Sequence, residues 1–256
     1  MAGVSCFQHF LVLHEDSFKM TIALIDSDIV AYRSAASCEP SKARAYTEPL
    51  EVAIQRADEL MHRIMQDTEA SSQQSFLTGS NNFRTKINPE YKANRKDKPR
   101  PQWLQPVREF LVTQWQAKVE DEQEADDALG IEQCAAELGS TIIVSIDKDL
   151  LCIPGRHYNF VTGDFYEQDS ISATRHFYYQ LLLGDGSDNI FGFDGLARQK
   201  VPQKLEHVFN ELGSYNDESD MFSFVRGLYN DDKRLLMNGQ CLYIRREPDQ
   251  IWQFPS

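Results

Sequence analysis

Two short runs of this sequence, residues 22–25 and 141–146, are apolar on both faces. Such runs are typical of central parallel strands that helices cover on both sides. Between them, residues 49–69 carry apolar side chains at the spacing of an amphipathic helix. Further elements are predicted in the order short strand 75–78, helix 102–117, brief strand at Val119, and helix 124–138 closed by Gly139. This alternation predicts an α/β fold, a doubly wound and mainly parallel sheet.

The pattern changes from Ser170 onward and becomes mainly helical. Helices are predicted near 170–183, 199–212 and 218–237, and a final strand is predicted within 242–254. We therefore predict an α/β domain at 20–169 and a helical region at 170–256 packed on it. Residues 1–19 are interpreted either as a weakly ordered extension or as the product of an upstream start codon, with translation starting naturally at Met20.

Charge is unevenly distributed along the chain, whose net charge is −13. Residues 84–100 contain seven basic and two acidic residues, which indicates phosphate contact at one place in an otherwise acidic protein. The alternative is a solvated surface loop with incidental charge. The five scattered cysteines lack a CxxC pair, which argues against disulfides and a zinc site. No apolar run is long enough to span a membrane.

Nine carboxylates fall into four tight groups, and two of the groups directly follow the apolar strands. The groups are Asp26/Asp28, Glu124/Asp126/Asp127, Asp147/Asp149 and Asp185/Asp188. Side chains at the carboxyl ends of parallel strands line the ligand crevice of an open α/β sheet. Acids brought together there coexist only by taking up protons or by binding cations, and hard divalent ions are the natural choice.

The densest acidic segment has six acids at positions 120–127. Favourable charge at a helix start explains one or two of them, but like charges at helical spacing oppose one another. Glu124 and Asp127 share a helix face, so these two are expected to converge on an ion. Asp147 could alternatively be a helix cap, and residues 184–189 could alternatively be a polar turn.

Five segments in order resemble the 5′-nuclease superfamily of flap endonucleases and 5′→3′ exonucleases, most closely its bacteriophage branch. They are Asp26 after a strand, Phe83-Arg84 leading to Tyr91-Lys-Ala-Asn-Arg95, Glu124-Ala-Asp-Asp127, Ser145-Ile-Asp-Lys-Asp149 and Gly184-Asp-Gly-Ser-Asp-Asn-Ile190. The resemblance implies a PIN-like fold, a helical arch near 84–100, and a C-terminal helix–turn–helix region that holds duplex DNA. It also implies phosphodiester hydrolysis with two Mg²⁺ ions, which Mn²⁺ could replace.

The resemblance carries over to individual positions of this chain. The expected metal ligands are Asp26, Glu124, Asp126, Asp127, Asp147, Asp149, Asp185 and Asp188. The expected catalytic residues are Lys92 and Arg84, with Lys92 acting on the phosphate as a point charge. The expected nucleic-acid contacts are Arg84, Lys86, Tyr91, Lys92, Arg95, Lys96, Gly192, Gly195 and Lys200, with Tyr91 stacking on a base.

Two positions depart from the family pattern. Gly79 stands where relatives carry an aspartate after the second strand, and we hypothesise that Asp28 replaces that acid. Ala197 stands where a further glycine is typical, which leaves a K⁺ ion at the helix–turn–helix element in question.

The expected partner is DNA with 5′ ends or flaps, or an RNA–DNA hybrid, bound by a monomer in the cytoplasm with no membrane contact. Two alternatives stay open: a junction-binding protein that has lost catalysis, and a haloacid-dehalogenase-like phosphatase. Asp26-Ser-Asp28 resembles the nucleophile motif of that phosphatase family.

Overall fold

A computed structural model describes residues 21–96 and 98–255, so the predicted extension at 1–19 lies outside the described residues. The central sheet has six strands in the order β3-β2-β1-β4-β5-β6. The strands are β1 Ile22–Asp26, β2 Ser72–Asn82, β3 Lys118–Glu122, β4 Thr141–Val144, β5 Gly155–Asn159 and β6 Asp164–Gln168. All neighbours pair in parallel except β5 and β6. This order confirms the predicted doubly wound, mainly parallel sheet.

Helices cover both faces of the sheet and make up most of the C-terminal region. They are α1 Ser27–Ala36, α2 Leu50–Asp67, α3 Phe83–Ile87, α4 Leu104–Trp115, α5 Ala125–Ala135, α6 Ser170–Leu183, α7 Glu206–Ser214, α8 Glu218–Tyr229 and α9 Asp232–Leu242. A two-stranded ribbon, β7 Gly184–Asp185 with β8 Ile190–Phe191, follows α6. Among the described residues, no helix is both long and apolar enough to cross a membrane.

Two apolar cores lie on opposite faces of the sheet. One contains the buried stripe of α2, formed by Ala53, Ala57, Met61 and Ile64, packed with side chains of α1 and α4. The other joins the opposite sheet face, through Leu24 and others, to the C-terminal helices. Because the C-terminal helices share a core with the sheet, they pack directly on it. The division at 169/170 stays a prediction.

Several predicted elements differ from the observed ones. β2 extends far beyond 75–78, and α5 ends at Ala135, so Gly139 lies in the turn before β4 instead of capping the helix. The predicted helix at 218–237 is broken at Asn230, which has φ +49°. No strand forms at 242–254, and the hairpin of β5 and β6 was missed.

The two motif regions expected to be helical are largely irregular. Within the described part of residues 84–100, the structure has α3, which begins at Phe83, and a 3₁₀ turn at Ala93–Arg95. Residues 190–200 contain no helix; α6 and α7 flank the segment at a distance. The helices of the predicted C-terminal helical region, α6 and α7, therefore lie on either side of a long irregular segment.

Candidate metal centre and nucleic-acid interface

The carboxyl ends of β1 and β4 meet where the strand order reverses, and acidic side chains lie there. Asp26 ends β1 and caps α1, its Oδ1 accepting from the Ile29 amide at 3.2 Å. The Ser145 hydroxyl donates to Asp26 Oδ2 at 2.7 Å and accepts from the Asp147 amide at 3.0 Å. Ser145 thus ties the loop after β4 to the end of β1. The sequence placed Ser145 in a motif but gave it no role.

A first group of acids consists of Asp126 and the three acids whose charges act on it, Asp26, Asp147 and Glu124. Burial and then the charges of Asp26 and Asp147 raise the pKa of Asp126 well above its ordinary value. Burial and the charges of Asp28 and Asp147 raise the pKa of Asp26 to about 7. No group within the described residues donates a hydrogen bond to the Asp126 carboxylate. Within the part of the chain that the structure describes, Asp126 thus forms no hydrogen bond or ion pair through its carboxylate, and the charge of Lys92 only partly offsets the repulsion from the other acids.

A second group adjoins the first and consists of Asp149, Asp185 and Asp188. Burial, followed by the charges of Asp147 and Asp185, raises the pKa of Asp149 to about 7. The Asp185 carboxylate accepts from the Ser187 amide at 2.6 Å in the turn of the β7–β8 ribbon. Because Asp147 acts on both Asp126 and Asp149, the two groups lie next to each other. This arrangement brings together expected acids from four separate segments of the chain.

The donor set fits hard divalent cations. Every acid in the two groups offers carboxylate oxygens, the ligands that Mg²⁺ and Mn²⁺ prefer. Within the described residues, no three Asp, Glu, His or Cys side chains are grouped tightly enough to enclose an ion in their present rotamers. Neighbouring carboxylates help to raise the pKa of Asp26, Asp126 and Asp149. A bound cation would relieve this mutual repulsion.

Glu124 begins α5 and is held by several donors. Its Oε1 accepts from Asn82 Nδ2 at 2.9 Å and from the Lys92 ammonium, and its Oε2 lies 3.0 Å from the Tyr91 hydroxyl. Burial raises the pKa of Glu124, but Lys92 and Arg84 outweigh it and leave the pKa lowered. Unlike Asp126, Glu124 is thus stabilised in its charged form by the protein itself.

Asp127 and Arg84 form a buried ion pair, which corrects their predicted roles. Arg84 Nη1 and Nη2 bind Asp127 at 2.6 and 2.8 Å, and Asp127 also accepts the amides of Glu124 and Arg245. Arg84 Nε and Nη2 further donate to the carbonyls of Cys241 and Tyr243, both at 2.8 Å. The side chains are 2% and 0% exposed, respectively. With its oxygens occupied, Asp127 is not placed to bind an ion, and Arg84 cannot reach a phosphate.

Glu124 and Asp127 lie on the same face of α5, but their side chains have a different role from the predicted one. The two residues form a capping box at the start of α5, in which the Asp127 side chain accepts the Glu124 amide. Asp127 points inward to Arg84, while Glu124 faces Asn82 and Lys92. The pair fixes the first turn of the helix instead of converging on an ion.

The basic segment packs against the second acidic group. Arg95 binds Asp188 Oδ1 at 2.8 Å, and Lys92 Nζ lies 3.7 Å from Asp188 Oδ2. Tyr91 is only 4% exposed, and its hydroxyl lies 2.7 Å from Asp188 Oδ2. The ring of Tyr91 is thus unavailable for the predicted stacking on a base, because it is buried beneath these acids. Lys86 and Lys96 are exposed.

The turn at 192–200 is fixed by internal hydrogen bonds. The Gly192 amide donates to the Leu196 carbonyl at 2.9 Å, and the Gly195 amide donates to the Gly192 carbonyl at 3.0 Å. A Cβ atom at Gly192 would lie 2.2 Å from the Leu182 carbonyl oxygen, so this glycine is required for packing. Contrary to prediction, both amides are engaged and do not face outward to phosphate. Lys200 is exposed.

Gly79 lies against β3. A Cβ atom there would lie 2.5 Å from Asp121 Oδ1 and 2.6 Å from the Glu120 carbonyl oxygen, so a side chain at this position does not fit. Asp28 accepts the Thr78 amide at 2.9 Å and binds the Arg108 guanidinium, which also donates to the Thr78 carbonyl at 2.5 Å. Asp28 is thus already paired. No sequence signal marked Arg108, which lies on the helical pattern of α4.

The strand order, the acids at the reversal point and the helical C-terminal region define a PIN-like α/β fold. A sequence model described as "5′-3′ exonuclease, N-terminal resolvase-like domain" matches residues 21–177. That match covers more than half of the chain. The chain therefore belongs to the 5′–3′ exonuclease family.

Solved structures of bacteriophage T5 proteins share this fold. A T5 protein co-crystallised with metal ions superposes with a TM-score of 0.62 at 14% identity, covering 87% of this chain and 89% of that one. A T5 flap endonuclease in a pseudo-enzyme–product complex with DNA and metal ions gives 0.61 at 16% identity, covering 87% and 89%. A T5 5′-exonuclease mutant gives 0.56 at 14% identity, covering 87% and 88%.

Proposed function

We propose that this protein hydrolyses phosphodiester bonds at 5′ ends or flaps of DNA in a reaction that depends on divalent metal. The observation that carries this proposal is the crowding of the Asp126 carboxylate by Asp26, Asp147 and Glu124, with no hydrogen bond or ion pair to Asp126 among the described residues. The lysine and arginine of the adjacent basic segment supply cationic groups at the same place. Carboxylates for metal beside cations for phosphate suit a negatively charged substrate.

The two acidic groups divide the proposed metal ligands. Asp26, Asp126, Asp147 and Glu124 would hold one ion, and Asp149, Asp185 and Asp188 would hold the other. Two Mg²⁺ ions, or Mn²⁺ in their place, would supply an activated water and stabilise the leaving oxygen. Asp127 is left out of this set because Arg84 and two amides occupy it. A K⁺ site at the 192–200 turn is left out of the proposal, because K⁺ needs carbonyl oxygens and the Gly192 carbonyl already accepts from the Gly195 amide and from Arg234.

Cationic side chains would position the substrate. Lys92, whose side chain is 27% exposed, is the proposed point charge for the phosphate near the metal ligands. Arg95 and the exposed Lys86, Lys96 and Lys200 are proposed to contact the phosphate backbone, which fixes register without reading sequence. Arg84 acts indirectly by holding Asp127 and the first turn of α5.

The proposed biological setting is the cytoplasm, with the protein acting as a monomer on replicating or degraded DNA. RNA–DNA hybrids with RNA 5′ ends are a second proposed substrate. The choice of DNA as substrate is supported by the family match and by the likeness in fold to a T5 flap endonuclease whose structure contains DNA.

The decisive experiment is cleavage of a 5′-labelled flap, a blunt duplex and an RNA–DNA hybrid with Mg²⁺, with Mn²⁺ and with EDTA. We expect cleavage only with metal, loss of activity in Asp126→Asn, and full activity in Glu167→Gln, which neutralises an exposed acid on β6. Binding without cleavage in either metal would identify a junction-binding protein instead. Hydrolysis of a small phosphoester through a trapped aspartyl-phosphate would identify a phosphatase.

A further inference from the structure

Lys92 lies between the two acidic groups, and its backbone is fixed there. The Lys92 amide donates to the Asp188 carbonyl at 3.0 Å. Neighbouring contacts fasten the same segment to the ribbon turn: Asn94 Nδ2 to the Gly186 carbonyl at 2.7 Å and Arg95 Nε to the Ser187 carbonyl at 2.8 Å. The backbone at Lys92 is therefore anchored, and its side chain alone is the part that can swing.

The Lys92 ammonium occupies carboxylate oxygens of both groups. It binds Glu124 Oε1 and lies 3.7 Å from Asp188 Oδ2. Glu124 belongs to the proposed first metal set and Asp188 to the proposed second. A divalent ion on these oxygens would stand within a few ångströms of the ammonium, where like charges repel strongly because the site is poorly hydrated. The ammonium and the ion therefore cannot both stay in place.

The two acids would keep other partners if Lys92 left. Asn82 Nδ2 would still donate to Glu124, and the Tyr91 hydroxyl would still lie between Glu124 and Asp188. Arg95 would still hold Asp188 through Oδ1. Departure of the ammonium thus frees oxygen atoms for a metal without releasing either side chain.

We propose that Lys92 is an internal counter-cation that competes with the divalent ion for Glu124 and Asp188, and that metal binding turns its ammonium outward to the substrate. This inference rests on the proposed metal-dependent function. It makes the arrival of the metal and the exposure of the phosphate-binding lysine a single event. A phosphate is then bound by Lys92 only when the site is loaded.

The first test is lysine labelling of the wild-type protein with an amine-reactive acetylating reagent, read by mass spectrometry with and without Mn²⁺ or Ca²⁺. Lys86 is the internal control, because it is exposed six residues earlier in the same segment. We expect saturating metal to increase the labelling rate of Lys92 about fivefold and to leave that of Lys86 unchanged. An unchanged or slower Lys92 rate under saturating metal overturns the proposal.

The second test measures Mn²⁺ affinity by calorimetry in Lys92→Met and in the charge-matched control Lys86→Met. We expect the dissociation constant to fall at least about fivefold in Lys92→Met and to change less than about twofold in Lys86→Met. Equal affinities in the two variants overturn the proposal. Should Lys92→Met fail to fold, the labelling of the wild type decides alone.

These outcomes are separable from those of the cleavage assay. Metal-dependent exposure of Lys92 without any cleavage would retain the counter-cation and refute the nuclease. Cleavage with no metal-dependent exposure of Lys92 would retain the nuclease and refute the counter-cation. Absence of Mn²⁺ binding to the wild type refutes both.

Discussion

Two neighbouring aspartates, Asp126 and Asp127, should respond oppositely to neutralisation. In Asp127→Asn, the buried Arg84 guanidinium loses its charged partner, and the new amide NH₂ faces donors on Arg84 or on the amides of Glu124 and Arg245. Breaking a buried pair from one side costs about 3–5 kcal/mol. For a chain of this size each kcal/mol lowers the melting temperature by about 2–4 °C, which gives a drop of roughly 6–20 °C.

The substitution Asp126→Asn removes a carboxylate that has no hydrogen-bond donor among the described residues and is repelled by Asp26 and Asp147. The charged form is disfavoured in the folded protein, so its removal should leave the melting temperature in EDTA unchanged or raise it. With metal, the wild type gains stability through binding, by an amount that grows with the ratio of free metal to the dissociation constant. Asp126→Asn should lose most of that gain.

The assay is thermal unfolding, followed by circular dichroism, of the wild type and both variants in EDTA and in excess Mg²⁺. A wild-type melting temperature for Asp127→Asn in EDTA would refute the assignment of Asp127 to the structural pair. The assignment would be reversed outright if Asp127→Asn also lost the metal-induced shift while Asp126→Asn kept it.

Three further substitutions test the framework around the site. Gly192→Ala should lower the unfolding free energy by about 1–3 kcal/mol in urea titrations, because the added Cβ would lie 2.2 Å from the Leu182 carbonyl oxygen. The control Gly227→Ala should be neutral or stabilising, because a Cβ there meets no atom within 4 Å and alanine favours the helix α8. Burial is the main cause that lowers the pKa of His176 to about 4; a hydrogen bond to the Lys148 backbone opposes this shift and the charge of Lys148 adds to it. Because the folded protein disfavours the charged imidazole, the wild type should lose stability as the pH falls from about 6.5 to about 4. This acid loss should shrink in His176→Gln, and an identical pH slope in the two proteins would contradict it. Asp28→Asn should leave Mn²⁺ affinity within about twofold of wild type, since Asp28 is paired with Arg108; a larger weakening, measured by calorimetry, would support Asp28 as a replacement acid.

The strands that carry the site could be predicted because their own residues specify them. Runs such as Ile22–Ile25, buried on both faces, have no other stable place than the sheet centre, and an aspartate after each run must reach the carboxyl edge. The break between α8 and α9 was not predictable in this way. It occurs at Asn230, where Asp231 starts a new helix by accepting the Arg234 amide, within a continuous apolar pattern that lacks proline.

The different roles of Asp126 and Asp127 could not be predicted from the sequence either, but for a different reason. Both positions are acidic and adjacent, so local spacing cannot say which one has a cation partner. The partner of Asp127 is Arg84, 43 residues earlier, and Arg84 is itself held by carbonyls of residues 241 and 243. Only the packing of the C-terminal segment against α5 decides that Asp127 is held in an ion pair while Asp126 has none among the described residues.

The number of basic residues in segment 84–100 is larger than the number of positive charges available to a substrate. Of its positive side chains, Arg84 forms a buried ion pair with Asp127. Lys92 is paired with Glu124, and Arg95 is paired with Asp188. The exposed Lys86, Lys96, Lys98 and Arg100 are left to attract phosphate before metal binds. Initial attraction of DNA should therefore be weaker than the local net charge implies, because attraction depends on cations not already paired. If metal binding turns Lys92 outward, the positive surface grows only when the carboxylates are loaded, and the grip on phosphate then depends on the same ions as the chemistry.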